Sequence, residues 1–136
     1  MKSFYCFLMS VALLGVFAFT STTFAKPVAA EKQRVFVKFE QLVKLNDVLL
    51  QGDYVIVHDG ALMEQGKPCF FIYTLDKGQP GKLVTTFHCE RVARPKADEL
   101  KISYFGNTAN SGTRIVREIQ FAGDAEGHLI NNNHHH

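Results

Sequence analysis

Apolar residues in this chain recur mostly at every second position, in short runs separated by Gly, Pro, Asn and Asp. That period predicts strands with one face turned to a core. From Arg34 the run Val35-Phe36-Val37-Lys38-Phe39 puts Val35, Val37 and Phe39 on one face. Gln41 to Gln51 is ambiguous, because Val35, Phe39, Leu42, Val43 and Leu49 also fit the stripe of a helix. Its β-branched content and the turn-forming Asn46-Asp47 favour strands. Tyr54 to His58 is a strand with Tyr54, Ile56 and His58 on one face and Val55 and Val57 on the other, closed by Asp59-Gly60. Ala61 to Lys67 reads as a connection in which Gly66 and Pro68 forbid a helix.

The stretch that organises the predicted domain runs from Pro68 to Val92. Its two arms are rich in aromatic and β-branched residues, and the break from Asp76 to Lys82 holds two Gly and one Pro. Folded about Gln79, the arms set Leu75 opposite Leu83, Tyr73 opposite Thr85, Phe71 opposite Phe87 and Cys69 opposite Cys89. Non-hydrogen-bonded antiparallel pairs bring α-carbons to about 4.5 Å, within reach of a disulfide. After a charged link, Arg94 to Asp98, come a strand at Leu100 to Phe105, a polar loop at Gly106 to Thr113 and a strand at Arg114 to Phe121. A turn from Ala122 leads to His128 near the end of the ordered chain. The expected fold is all-β: a small antiparallel β-sandwich or open barrel of about seven strands with one disulfide-stapled hairpin. Much of the core would come from phenylalanine, of which the sequence has 12.

The start of the chain follows a different pattern. Lys2 precedes a run, Phe4 to Phe19, that is apolar apart from Ser10, and Thr23-Phe24-Ala25 offers small residues at a cleavage site. The run is shorter than the roughly 20 residues a membrane span needs, so a cleaved signal peptide over 1–25 is preferred to an anchor. Residues 26–33 are then a flexible mature N-terminus, 34–130 a single β domain and 131–136 a disordered tail, Asn131 to His136. Cleavage removes Cys6 and leaves Cys69 and Cys89, an even count in an exported chain, which favours a structural disulfide over a metal-binding or redox thiol pair. A periplasmic or extracellular location follows, with no membrane span after cleavage. Without Lys2, 14 basic residues face 13 acidic ones, so no electrostatic footprint for nucleic acid remains. Arg91, Arg94 and Lys96 read as solvated or edge-protecting charges.

Leu50-Gln51-Gly52-Asp53-Tyr54, His58-Asp59, Pro68-Cys69, Phe87-His88-Cys89 and Glu118-Ile119-Gln120-Phe121-Ala122-Gly123 carry a resemblance. Over Leu50 to His128 the chain resembles a set of short exported β-rich bacterial proteins that are themselves uncharacterised. The resemblance implies a secreted β-domain and brings no activity, catalytic residue or cofactor with it.

The candidate chemistry lies in His58, Met63, His88 and His128, with Asp59, Glu64, Asp124 and Glu126 beside them. Imidazole and thioether suit copper, and imidazole with carboxylate suits zinc. Each histidine also has a plainer reading. His58 can be a core histidine bonded to a main-chain carbonyl, His88 an outer-surface residue, and His128 a solvated residue near a frayed end. The absence of Cys-x-x-Cys-His argues against covalent haem. Nucleophile-elbow, zinc-protease and phosphate-loop signatures are also missing, so no catalytic residue is assigned and no enzyme is expected. Two functions stay open. One is a non-enzymatic binding or assembly domain, for a protein, a glycan or another copy of itself, without a cofactor. The other is a copper or zinc carrier or sensor using the histidines and Met63.

Overall fold

The computed structural model describes residues 32–106 and 112–131. The expected leader, nearly all of the N-terminal segment and the tail beyond Asn131 lie outside the described residues, as does most of the 106–113 loop. Two hairpins form the first half of the sheet. β1 (Lys32–Leu45) and β2 (Val48–Asp59) pair antiparallel around Asn46-Asp47. Asn46 takes φ 53°, a left-handed conformation that asparagine tolerates. Strand was therefore the right reading for 41–51, and β1 starts early enough to include Lys32 and Gln33.

β3 (Phe70–Asp76) and β4 (Gln79–Phe87) form the second hairpin. Here the expected seven-residue loop is replaced by a two-residue turn. Lys77 and Gly78 both have positive φ, 48° and 76°, which matches the right-handed strand twist. The register differs accordingly. Phe70 faces Phe87, Ile72 faces Thr85, and Tyr73 faces Leu83, with irregularities on either side of Tyr73. Between β2 and β3 the chain forms a short helix, α1 (Gly60–Glu64), where a non-helical connection was expected. Asp59 supplies the N-cap, accepting from the amides of Ala61 and Leu62 at 3.1 and 3.2 Å, and the helix ends before Gly66.

β5 (Cys89–Ala93), β6 (Lys101–Tyr104), β7 (Arg114–Gln120) and β8 (Glu126–Ile130) complete the molecule. β8 was not foreseen. The sheet has eight strands in the order β4-β3-β2-β1-β7-β8-β5, with β6 paired to β7, and it curls into a half-barrel. The open-barrel alternative therefore holds, in place of two packed sheets. One pairing departs from the antiparallel rule: the far end of β1 meets β7 in parallel, Val43 opposite Arg114 and Lys44 opposite Ile115.

The terminal strands of that order, β4 and β5, are consecutive in the chain and separated by His88 alone. One residue cannot span a flat sheet of seven strand positions at about 4.8 Å each, so the sheet must curl until its ends meet there. Cys69, just before β3, and Cys89, at the start of β5, lie at this seam with α-carbons 6.6 Å apart, a disulfide-bonded pair. They join two parts of the sheet and are not opposed residues of one hairpin, because the arm expected to run from Leu83 to Val92 breaks at His88. The Cys69 amide donates to the Phe87 carbonyl at 3.1 Å, holding the seam on the other side.

Inside the curl, Phe39, Leu45, Leu50, Ile56, Phe70, Ile72, Val116, Ile119 and Ile130 are among the residues of one buried cluster. Phe70 stacks on Phe87 and Phe121 at 5.1 and 6.1 Å between ring centres. The Arg94–Leu100 link is pinned to the β7–β8 turn. Ala97 donates to Asp124 O at 3.0 Å, Gly123 donates to Ala97 O at 2.7 Å, and the Gln120 amide donates to Pro95 O at 2.8 Å. Among the described residues, no helix is long and apolar enough to cross a membrane.

Candidate metal centre at the seam of the sheet

His58 is the second-last residue of β2 and lies opposite Gln33 of β1 and Phe70 of β3. Strand parity sends its ring inward with Ile56, where it is 1% exposed. The ring lies 4.8 Å from the Phe70 ring and 4.1 Å from that of His128. His128, on β8 opposite Arg91 and Ile119, is also buried, its ring meeting Phe70 edge-on. The expected frayed end is thus an inner strand of the sheet.

Both imidazoles approach the same sulfur. Cys89 Sγ stands 3.9 Å from His58 Nε2 and 3.9 Å from His128 Nδ1. Met63, carried by α1 immediately after the β2 turn, brings its Sδ to 3.6 Å from that sulfur. Cys69 completes the group: the donor atoms of His58, Cys69 and Cys89 all lie within 4.8 Å of one another. His88 does not join them. It has the opposite parity to Cys89, as the alternation implied, and its side chain is exposed. The sequence reading brought His58, His128 and Met63 forward as ligands but assigned the two cysteines to a purely structural bond. The strand break at His88, which puts Cys89 in a different part of the sheet, has no Gly or Pro to mark it in the sequence.

Burial sets the charge state of the two rings. His58 is pushed down to about 3, first by loss of hydration and then by His128 and Arg91, with Asp59 opposing. His128 is pushed down to about 4, again mainly by burial, with Arg91 adding to it and Asp124 and Glu118 opposing. Both are therefore neutral at pH 7, the form in which imidazole presents a lone pair to a metal. Among the described residues His58 Nδ1 has no hydrogen-bond partner, and none of their main-chain carbonyls satisfies this ring. The nitrogen that faces the sulfurs is Nε2, so the unpaired Nδ1 costs about 1–3 kcal/mol with or without an ion on the other side of the ring.

Outside the cluster, Arg94 clasps Glu118 through two bonds of 2.8 Å, so one of the three supposed solvated cations is half of an ion pair with a buried carboxylate. That pair holds the Glu118 carboxyl below the usual range. Arg91 pairs with Glu126 at 3.0 Å. Surface clefts of 290 Å³ beside Tyr104 and Arg114 and of 220 Å³ beside Phe105 and Leu129 have none of the cluster residues in their walls.

The donor set, two imidazole nitrogens with two sulfurs and a nearby thioether, is one that zinc and copper accept. Zn–N and Zn–S bonds of about 2.0 and 2.3 Å at a tetrahedral angle place N and S about 3.5 Å apart. The observed 3.9 Å separations need to shrink by only a few tenths of an ångström. Thiolate ligation requires the Cys69–Cys89 bond to be reduced. With the bond intact, His58, His128 and Met63 are the remaining donors. Comparison with family models, curated proteins and solved structures gives no match for the chain.

Proposed function

We propose that this chain is an exported, non-enzymatic β-domain that binds one copper or zinc ion at His58, His128, Cys69 and Cys89, with Met63 as an auxiliary ligand. The observation that carries the reading is the meeting of two neutral buried imidazoles and a thioether on the sulfur of Cys89. A core that needed only apolar filling would gain from Leu or Phe at His58 and His128, since neither ring is charged and one nitrogen is unpaired. The test is native mass spectrometry of the chain carrying H134A, H135A and H136A, which removes the chelating tail. One ion per reduced chain is expected, and its loss in the H58L/H128L variant. Uptake undiminished in that variant contradicts the assignment.

A second reading, self-association, is favoured by the outer face. Phe36, Val55, Tyr73 and Leu83 lie opposite one another in a row across β1, β2, β3 and β4; Phe36 and Leu83 are each 51% exposed, and Val55 between them is fully buried. The row ends at β4, a terminal strand whose outer edge pairs with no strand among the described residues, and such an edge can accept another chain. Sedimentation equilibrium tests it. A concentration-dependent dimer weakened by L83K is expected, and a monomer at all concentrations contradicts it.

A further inference from the structure

We propose that the Cys69–Cys89 bond is a gate on the cluster, opened by a dithiol reductant that attacks Cys89; this rests on the metal reading above. The two sulfurs are not equivalent. Cys69 is 0% exposed, and its amide is tied to Phe87 of the neighbouring strand β4. Cys89 is partly exposed and opens a terminal strand, with its sulfur turned inward onto His58, His128 and Met63 while His88 and Glu90 face outward. Of the two sulfurs, the one belonging to the less buried residue is Cys89, so an incoming thiolate attacks there and Cys69 is the leaving group.

The exchange balances in two steps. A thiolate of the reductant bonds to Cys89 Sγ while the Cys69–Cys89 bond breaks, and Cys69 leaves as a thiolate that takes up a proton. The second thiolate of the reductant then attacks its own sulfur in the mixed disulfide and releases Cys89 as a thiolate. The protein disulfide has gained two electrons and the reductant has become a disulfide. The freed Cys89 sulfur already lies beside His58, His128 and Met63, at 3.6 to 3.9 Å, where an ion is captured with loss of the thiol protons. The reverse exchange, with the disulfide form of the same dithiol carrier as the two-electron acceptor, ties up both sulfurs again, and the ion keeps only the imidazoles and the thioether.

Linkage makes the coupling reciprocal: an ion that prefers the dithiol form makes that form easier to reach. Every tenfold preference raises the midpoint potential by about 30 mV. Zinc is the suitable probe because it takes no part in the redox step.

The experiment uses the chain with H134A, H135A and H136A in both redox states. First, the oxidised protein is mixed with a thioredoxin-class protein lacking its resolving cysteine, and the mixed disulfide is mapped by peptide mass spectrometry. Attachment at Cys89 is expected; attachment at Cys69, or none, overturns the proposed route. Second, zinc affinity is measured in each state by competition with a chelating dye. At least tenfold tighter binding to the reduced form is expected, with a matching rise in midpoint potential. Equal affinity in the two states overturns the gate while leaving the metal reading in place, and no uptake in either state overturns both. Far-UV circular dichroism follows the reduced chain throughout. A native spectrum, or one restored by zinc, agrees with the gate, and a spectrum lost and not restored contradicts it.

Discussion

Acid should destabilise this protein well above the range in which its carboxylates titrate. His58 and His128 have folded pKa values of about 3 and about 4, against an ordinary 6.5 for an exposed histidine. Between those limits the unfolded chain binds protons that the folded chain refuses. Stability is therefore complete above about pH 6.5 and is lost as pH falls, down to the folded values. At pH 5 each ring has crossed about 1.5 units of that window. At about 1.4 kcal/mol per unit this is roughly 2 kcal/mol per histidine and about 4 kcal/mol for the pair. Glu118 is separated from this effect. Arg94 holds it below its ordinary 4.5, so its contribution is present above 4.5 and is lost only below it. The assay is urea unfolding of the oxidised, metal-free chain between pH 7 and pH 5, followed by circular dichroism. H58L should remove about half of the loss. Its stability at pH 7 should stay close to that of the parent, since relief of the unpaired Nδ1 offsets the lost ring contacts. An unfolding midpoint that does not move between pH 7 and 5, or moves equally in H58L, would refute the claim that these rings are buried and neutral.

Three substitutions probe the surroundings of the cluster. M63L nearly conserves volume and should cost less than about 1.5 kcal/mol in urea unfolding, while copper(I) affinity measured by chelator competition falls about tenfold and zinc affinity less. D59A removes the N-cap of α1 and should cost about 1 kcal/mol. It should also weaken copper(I) binding, because Met63 rides on that turn; unchanged affinity would show that the cap does not position the sulfur. G127A would put a Cβ 2.8 Å from Glu118 Cδ and 3.2 Å from Arg94 Cγ, forcing their ion pair apart. A loss of about 1–3 kcal/mol is expected, and a loss under about 0.5 kcal/mol would show that the pair moves aside without cost.

The parts of this fold legible in the sequence are those set by local pattern. Alternation put His58 on one face with Ile56 and took His88 off the face of Cys89, and Asn46-Asp47 announced the first hairpin. The second hairpin's register was harder. Lys77-Gly78 lacks the Asn-Gly or Asp-Gly signal of a tight turn, so the two Gly and Pro80 read as one long loop. In the structure Pro80 lies on β4, whose outer edge needs no amide donor. β8 escaped notice because Glu126-Gly127-His128-Leu129-Ile130 has no clean alternation, and its strand conformation comes from pairing with β5 and β7. The parallel contact of β1 with β7 joins residues about seventy positions apart and leaves no local trace. The same distance effect hid the site. Ligand chemistry brought the histidines and Met63 forward, and pairing arithmetic brought the cysteines together. Only the curl that closes the sheet at His88 puts both sets in one place.

The central claim concerns which atoms the ion touches, and X-ray absorption of the zinc-loaded, reduced chain with H134A, H135A and H136A reads this directly. The account predicts two sulfur neighbours at about 2.3 Å and two imidazole nitrogens at about 2.0 Å. A shell of nitrogen and oxygen alone, with no sulfur, would contradict it.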